Sequence, residues 1–530
     1  MRTIRRKFIG TLGAAGAAAM LVGCNKTTRN FPGAILGAAS AAGHRLRTGN
    51  FPEPSDTIET GVAIIGGGIA GLAAARRLDQ RGQRDFLLIE LERQPGGNAT
   101  SGQNEVSPYP WGAHYVPLPN DESVEVLGLF EELGITRGRH ANGTPIYEEE
   151  FLCADPMERL FDAGRWQEGL LPQIGVTEDD RRQYEDFFRR MESFRSMRGR
   201  DGRPAFAIPL DLSSQDPELL SLDRSTMAAW MTERGWNSVP LRWHVDYSCR
   251  DDYGAGIAQV SAWAGVHYFA SRRGHAANAD RDAVVTWPEG NGWLVKKLAA
   301  PCAARTRSRG VVFNVEQSAG AVVVDYLDLE RNRSVRVKAR GVVCAAPRFV
   351  ARRIIRDLAG GNEAVYSPWM VANVTLDQLP AGSGTPLAWD NVARQSDSLG
   401  YVVATHQKVD PVPRETVITH YWPLDAAAPA EERQHALART HADWCNRVVA
   451  DLDRVHPGID SHIRNIDVWV WGHGMIRPVP GFIWSEARQM MQQAHGRIVF
   501  AHSDMSGISI FEEAFTRGTQ AADALIQLIE

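Results

Sequence analysis

The stretch GVAIIGGGIAGLAAARRL contains Gly66, Gly68 and Gly71 in the spacing G-x-G-x-x-G. The three glycines follow a short apolar run typical of a buried strand and open a run typical of a helix. The first glycine permits a tight turn, the second lets a diphosphate approach the backbone, and the third lets helix and strand pack closely. Free N–H groups at the helix start, around Ile69 and Ala70, favour bound phosphate. The pattern predicts dinucleotide binding, and the alternative is a glycine-rich turn that only packs.

An acidic residue follows the next apolar run, where a dinucleotide site needs one. Glu90 comes directly after Phe86–Ile89 and nineteen residues after Gly71. A carboxylate at the end of a second strand accepts hydrogen bonds from ribose hydroxyls. We therefore expect a βαβ unit that places Glu90 beside the ribose. The unit alone does not distinguish a nicotinamide from a flavin dinucleotide.

Two further clusters contain residue types suited to a substrate pocket. The stretch WHVDYSCRDDYGAG groups Asp251, Asp252 and Tyr253, and paired carboxylates among aromatic rings suit a cationic amine. The stretch VWVWGHGMIRPVPG places His473 between two glycines, in what we expect to be a loop. The structural alternatives are a helix end with solvated acids for Asp252 and a buried, hydrogen-bonded side chain for His473.

The elements that must position these residues alternate along the chain. Charged helical stretches dominate residues 119–280, strand-like runs return at 284–350, and the chain closes with a strand, a loop and a helix. This alternation predicts an α/β fold with two interwoven domains, each built from separate pieces of chain.

A second glycine motif identifies a family that the chain resembles. Gly96 and Gly97 stand six and seven residues past Glu90 and are followed by Asn98. The acid, short spacer and Gly-Gly pair resemble the flavin-dependent amine oxidase superfamily. The resemblance implies an FAD cofactor, with the glycine pair against the flavin-side phosphate and ribityl chain. Family members usually carry arginine after the pair, so Asn98 departs from the pattern at a phosphate contact.

The C-terminal stretch VFAHSD…GISIFEEAFTRGTQAA resembles the closing strand, acidic loop and helix of the same superfamily. The resemblance implies that Asp504 lies near the ribityl chain and that the N-terminus of the last helix points toward the flavin. It also implies that Phe511 contributes to an aromatic wall of the pocket, with a place in the ordinary core as the alternative. His502 and Glu513 stand where the family usually has glycine.

The resemblance also assigns the separate pieces of chain to domains. Residues 59–118, 281–350 and 466–530 are expected to form a Rossmann-type FAD-binding domain. Residues 119–280 and 351–465 are expected to form a mixed α+β substrate domain.

Composition excludes several other classes of protein. The 530 residues are 44% apolar with a formal net charge of −5, and no dense Lys/Arg stripe occurs beyond the N-terminus, so we expect no nucleic-acid partner. The sequence has six cysteines but no C-x-x-C, and we expect no metal site. Apart from Cys24, the cysteines are expected to be buried free thiols.

The N-terminus resembles an export signal. Arg5 and Arg6 precede a soft apolar run that ends in Leu-Val-Gly-Cys24, which is similar to a twin-arginine signal closed by a lipobox. We expect residues 1–24 to be a signal peptide, 25–58 to be a linker, and a lipid on Cys24 to anchor the protein to a membrane outside the cytoplasm. The alternative is an uncleaved anchor, although the apolar run is shorter than the ~20 residues of a spanning helix.

These observations predict an FAD-dependent oxidoreductase. The resemblance implies oxidation of a small-molecule amine, of polyamine or amino-acid type, by hydride transfer to the flavin, with oxygen or a respiratory carrier as electron acceptor. The alternatives are a desaturase-like or alcohol-oxidising flavoprotein of the same fold, and a non-catalytic lipoprotein that keeps the flavin fold.

Overall fold

A computed structural model describes residues 30–358, 364–408 and 414–530, so the predicted signal peptide and Cys24 lie outside the described residues. Its strands are β1 (Ile35–Gly37), β2 (Asp56–Ile65), β3 (Phe86–Ile89), β4 (Ser101–Gln103), β5 (Pro108–Pro110), β6 (Tyr115–Pro117), β7 (Thr136–Arg139), β8 (Pro145–Tyr147), β9 (Glu158–Asp162), β10 (Arg165–Glu168), β11 (Val284–Thr286), β12 (Thr306–Arg307), β13 (Gly310–Ser318), β14 (Ala321–Asp328), β15 (Arg333–Cys344), β16 (Val365–Leu376), β17 (Asp390–Ala393), β18 (Tyr401–Val403), β19 (Thr416–Pro423), β20 (Ile463–Arg477) and β21 (Ile498–Phe500). Its helices are α1 (Ser40–Thr48), α2 (Ile69–Gln80), α3 (Val124–Glu132), α4 (Glu178–Ser196), α5 (Pro217–Leu220), α6 (Met227–Glu233), α7 (Val239–Tyr253), α8 (Ala262–Ala270), α9 (Gly292–Ala299), α10 (Arg348–Ile354), α11 (Pro429–Ala438), α12 (His441–Asp453), α13 (Glu486–Met491) and α14 (Phe511–Ile529).

One sheet has the strand order β12-β3-β2-β15-β14-β13, with β21 on the second half of β15. Its strands β12, β3, β2, β15 and β21 run parallel. Residues Val62–Ile65 of β2 are all buried, as expected for a parallel strand covered on both faces. Helices α2 and α14 pack together beside this sheet. This is the predicted Rossmann-type unit, and the α/β fold class is confirmed.

A second sheet has the order β1-β20-β16-β19-β18-β17-β9-β10. Most of its neighbouring pairs are antiparallel, and β16 is buried along nearly its whole length. Helix α12 covers one face through Trp444 and Val448, which share a core with Val468 of β20. Helices α4 and α6–α8 form a further core rich in aromatic side chains.

The structure differs from the expectations at two points. Residues from Phe31 belong to the folded body, whereas we predicted a linker over 25–58, because Phe31 is buried beside β20 and β1 pairs with that strand. Strand β20 lies in the larger sheet, although 466–530 was assigned to the dinucleotide domain, because its alternate side chains pack into that sheet's core. The described residues from Phe31 to Glu530 form one compact unit, and the division into two domains stays a prediction.

Candidate functional site

A cleft of about 990 Å³ opens where the glycine-rich turn meets α2. The sequence-predicted residues that line it are Gly66, Gly68, Ile69, Ala70, Glu90, Gly96, Gly97, Asn98, His473 and Phe511. The predicted residues Gly71, Asp252 and Asp504 do not line it. The cleft lies at the carboxyl ends of β2 and β3, which is where open α/β sheets bind ligands.

Close backbone packing accounts for the glycines. A Cβ on Gly71 would lie 1.9 Å from the carbonyl oxygen of Gly66, so any side chain there would push α2 away from the turn. Gly97 has a φ of +54°, and a Cβ on it would lie 3.2 Å from the Cα of Gly68. The two glycine motifs are therefore in contact, and together they form one backbone cradle with the N-terminus of α2.

Glu90 is fixed by the backbone of the cleft. Its Oε2 accepts a hydrogen bond from Gly67 N at 2.6 Å, and its Oε1 accepts one from Glu92 N at 2.7 Å. Burial raises the pKa of this carboxyl, while the two backbone donors oppose the rise. A carboxylate accepts about four hydrogen bonds, so Glu90 keeps capacity to accept from a ribose hydroxyl.

Asn98 has a structural contact in this cradle. Its Nδ2 donates to the carbonyl oxygen of Gly474, which ties the Gly-Gly turn to β20. Its own carbonyl oxygen accepts from Ala113 N at 2.8 Å. The Asn98 side chain brings no positive charge to the cleft, whereas the superfamily that the sequence resembles usually has arginine at this position.

Asp504 lies behind the wall of the cleft and does not line it, and its contact with a ribityl chain stays a prediction. Asp504 is fully buried, and its Oδ2 accepts from Tyr366 Oη at 2.6 Å and from Arg348 N at 2.8 Å. Burial opposes its ionisation, but His502 and these donors hold its pKa below the usual value. Asp504 thus supports the wall of the cleft from behind, and its neighbours His502 and Ser503 line it.

Two pocket candidates do face the cleft. Phe511 is the first residue of α14 and stacks on Phe515 with ring centroids 5.7 Å apart. His473 lies within β20 and not in a loop as we expected, and it stacks on Phe349 at 4.2 Å. Burial, followed by the nearby Arg433 and other cations, lowers the pKa of His473 to about 4, so the ring is neutral at pH 7.

The third pocket candidate, Asp252, forms an ion pair with Arg272. Its Oδ1 lies 2.6 Å from Arg272 Nη2, and the residue is buried. Its neighbour Asp251 is different, because its carboxylate lies 3.5 Å from the Tyr115 hydroxyl and is not ion-paired to Arg272 in the described structure. The acidic pair singled out in the sequence therefore divides into one structural and one available carboxylate.

Asp251 belongs to a group of carboxylates from distant parts of the chain. Burial and then Asp252 raise its pKa to about 7. Burial, followed by Asp251 and Glu158, raises the pKa of Asp390 well above its usual value. Both side chains keep some accessible surface, although burial is the largest cause of their pKa shifts.

Aromatic rings enclose these carboxylates. His114 stacks on Tyr421 with centroids 4.6 Å apart, and Trp389 lies 5.4 Å from His114. The Tyr247 hydroxyl lies 3.3 Å from Asp390. We call this group the carboxylate chamber, and its members are Glu158, Asp251, Asp390, His114, Tyr115, Tyr247, Trp389 and Tyr421.

Short connections join the chamber to the cleft. Ala113 lines the cleft and His114 belongs to the chamber, so adjacent residues of one segment form walls of both. The Tyr421 hydroxyl donates to Gly112 O at 2.9 Å, which fixes that segment. At the other side Phe511 lines the cleft, while the next residue, Glu512, lies within electrostatic range of Arg272 and Asp252.

Several members of the chamber have no signal in the sequence. Glu158 and Asp390 are single acids at strand starts, and His114 and Tyr421 occur in no recognised motif. The aromatic residues near Asp251 indicate a pocket, but of the three chamber carboxylates only Asp251 lies in that stretch of sequence.

The donor set of the cleft fits a dinucleotide. The cleft combines backbone N–H groups at the start of α2 with the Glu90 carboxylate, which can accept from a ribose, and its volume is at the upper end of the range for ligand pockets.

Among the described residues no group of His, Cys, Asp and Glu could hold a metal ion. No helix in the described ranges combines the length and apolar character that a membrane crossing requires.

Comparison with known proteins supports the fold. A model of the NAD(P)-binding Rossmann-like domain matches residues 64–133. No curated protein matches the chain. A double mutant of putrescine oxidase is 14% identical with a TM-score of 0.63, and the match covers 89% of this chain and 100% of that one.

Two other solved structures have the same architecture. Cyclohexylamine oxidase from Brevibacterium oxydans is 15% identical with a TM-score of 0.63, covering 89% of this chain and 99% of that one. A fatty acid isomerase from P. acnes is 14% identical with a TM-score of 0.61, covering 88% and 98%. At these identities the likeness shows the fold, and the substrate must be argued from the site.

Proposed function

We propose that the protein is an FAD-dependent oxidoreductase that oxidises an amine. The observation that carries the proposal is the contact between a dinucleotide cleft and a chamber of carboxylates and aromatic rings. Two proteins whose solved structures share this fold are named as oxidases of amines, namely putrescine oxidase and cyclohexylamine oxidase.

The cleft residues have distinct roles in holding the cofactor. Gly68, Ile69 and Ala70 present backbone N–H groups to the diphosphate, and Glu90 accepts from the ribose. Phe511, at the start of α14, supplies an aromatic wall. FAD bound there supplies the two-electron acceptor that oxidation of an amine to an imine requires.

The carboxylate chamber selects for a positively charged amine. Ionised Asp251 attracts an ammonium group, and the faces of Tyr421 and Trp389 stabilise it. Buried carboxylates close to one another repel, so a cation entering between Asp251 and Asp390 relieves their repulsion. A purely apolar substrate would offer these carboxylates no positive charge.

Asp251 also suits the handling of a proton. An amine must lose its ammonium proton before its α carbon is oxidised, and a carboxylate whose pKa is about 7 accepts a proton at neutral pH more readily than an ordinary aspartate. We therefore assign Asp251 both attraction of the ammonium and acceptance of its proton.

A reduction assay tests the proposal. The purified protein should carry the yellow absorption of oxidised flavin, and this absorption should bleach when amines are added without oxygen. Alcohols and polyenes should not bleach it. Bleaching by alcohols or polyenes alone would assign the protein to the alternative classes, and a colourless protein that takes up no FAD would exclude catalysis by flavin.

We also propose that the protein is exported and anchored by lipid, as its N-terminal sequence predicts. Support comes only from the Arg5-Arg6 pair and the lipobox-like residues before Cys24. In a bacterial host the full chain should take up radiolabelled fatty acid and fractionate with membranes. Cys24→Ser should lose both properties, whereas Cys445→Ser, which changes a buried thiol of the folded body, should retain the label.

A further inference from the structure

The N-terminal segment Phe31–Thr48 forms an outer wall of the cleft. Its strand β1 pairs in parallel with β20 of the larger sheet, with Ile35 opposite Val468. Beyond β1, Ala39 N donates to Glu92 Oε1 at 2.8 Å, on the loop that follows β3. The segment therefore runs from the larger sheet to the dinucleotide unit across the cleft.

Helix α1 turns one face toward the cleft. Ser40, Gly43, His44 and Arg47 line it, and their spacing of three and four residues places them along one side of a helix. Arg45 points elsewhere and stacks over Phe51 at 5.6 Å. The helix thus carries two arginines, of which Arg47 faces the cleft and Arg45 does not.

Arginines from two other helices converge on the same cleft. Arg352 and Arg353 come from α10, and Arg433 comes from α11. Within the described ranges no carboxylate forms an ion pair with Arg47, Arg353 or Arg433. The described contact of the Arg433 guanidinium is to the carbonyl oxygen of Tyr366 at 3.1 Å.

The positive field reaches into the cleft. After burial, the causes that lower the pKa of His473 are Arg433, Arg47, His44 and Arg353. The acids that line the cleft, Glu90 and Glu92, already accept backbone hydrogen bonds near β3. The cleft therefore holds an excess of positive charge, which an anionic ligand would neutralise.

We propose that Arg47, Arg353 and Arg433 bind the diphosphate of the dinucleotide, and that they replace the arginine missing at Asn98. This inference rests on the FAD binding proposed above. The cation that the family places after its Gly-Gly pair is here supplied by α1, α10 and α11. Because Arg47 belongs to the N-terminal segment, that segment contributes directly to retention of the cofactor.

Cofactor affinity tests the assignment. FAD would be removed from the wild type, Arg47→Gln, Arg433→Gln and the double variant, and the dissociation constant measured by quenching of flavin fluorescence on rebinding. Each single change should weaken FAD binding about tenfold, as expected for loss of one charged hydrogen bond, and the double change should weaken it further. Arg45→Gln removes an identical charge from the same helix and should leave the dissociation constant within about twofold.

Salt dependence separates charge from general damage to the fold. Wild-type FAD binding should weaken with ionic strength, and the slope should fall in Arg47→Gln and Arg433→Gln. Thermal unfolding of the FAD-free proteins should be unchanged. If FAD binds the variants as tightly as the wild type, or if Arg45→Gln weakens binding equally, the assignment is wrong. If wild-type protein binds no FAD, the proposed function itself fails.

Discussion

The cleft and the carboxylate chamber lie side by side but present ionisable groups of opposite type. The cleft presents arginines and backbone N–H groups, whereas the chamber presents Asp251, Asp390 and Glu158 among aromatic rings. The Gly112–Tyr115 segment separates them, with Ala113 on one side and His114 on the other. An anionic cofactor and a cationic substrate would each meet complementary charge, and neither would be drawn to the other's site.

The two regions also differ in how they are built. The cleft depends on backbone geometry, because a Cβ on Gly71 would clash with the Gly66 carbonyl oxygen and Gly97 adopts a positive φ beside Gly68. The chamber depends on side-chain chemistry supplied by β6, α7, β17 and β19. Changes to the cleft should therefore damage folding and cofactor binding, while changes to the chamber should alter substrate use and leave the flavin in place.

The largest effect is expected at Gly71. A methyl group from Gly71→Ala would meet the carbonyl oxygen of Gly66, so the helix must shift, at a cost on the order of 3 kcal/mol in the free energy of unfolding. Denaturant unfolding and bound flavin per chain measure the result. Gly128→Ala is the matched control, because Gly128 lies exposed in α3 with nothing near its Cβ position, and it should stabilise the protein by about 0.5–1 kcal/mol.

Asp251→Asn should impair amine oxidation without loss of flavin. The amide keeps the shape but removes the charge that attracts the ammonium, and kcat/KM for amines should fall about 100-fold. Flavin content should equal that of the wild type, and Glu149→Gln, an exposed acid, should change neither quantity. Retained amine activity in Asp251→Asn would remove the chamber from the mechanism.

The chamber should titrate near neutrality. Asp251 has a pKa of about 7, so below this pH it is protonated and loses its attraction for cations. Tetramethylammonium keeps its charge at every pH, and its inhibition constant should decrease as pH rises through about 7 and then level off. Asp252, Arg272, Glu158 and Tyr115 surround the group, but Asp251→Asn should abolish the dependence. A flat profile in the wild type would contradict the assignment.

The smallest effect is expected at Tyr421. Its ring forms part of the chamber wall through its stack on His114, while its hydroxyl donates to Gly112 O. Tyr421→Leu should raise KM for amines about fivefold by removing a cation–π partner. Tyr421→Phe keeps the ring and should retain most of the affinity, so steady-state kinetics of the pair separate ring from hydroxyl.

Local pattern explains why the cleft was predictable. The glycine spacing, the apolar strands and Glu90 lie within thirty residues, and the structure places the predicted cradle residues around one cleft. Asp504 matches its position in the motif, but the local pattern does not show that its side chain turns inward to Tyr366 and Arg348. The segment before β2 was misjudged because its folding depends on pairing with β20, more than 400 residues away.

The sequence by itself determined the βαβ unit and the dinucleotide cradle, since both follow from contacts between neighbouring residues. Tertiary structure decided which acids face a substrate and which are neutralised, because Asp251 and Asp252 are adjacent in sequence but only Asp252 meets Arg272. It also decided where the cofactor's positive partners come from. Charges act through space, and Arg47, Arg353 and Arg433 reach one cleft only after the chain has folded.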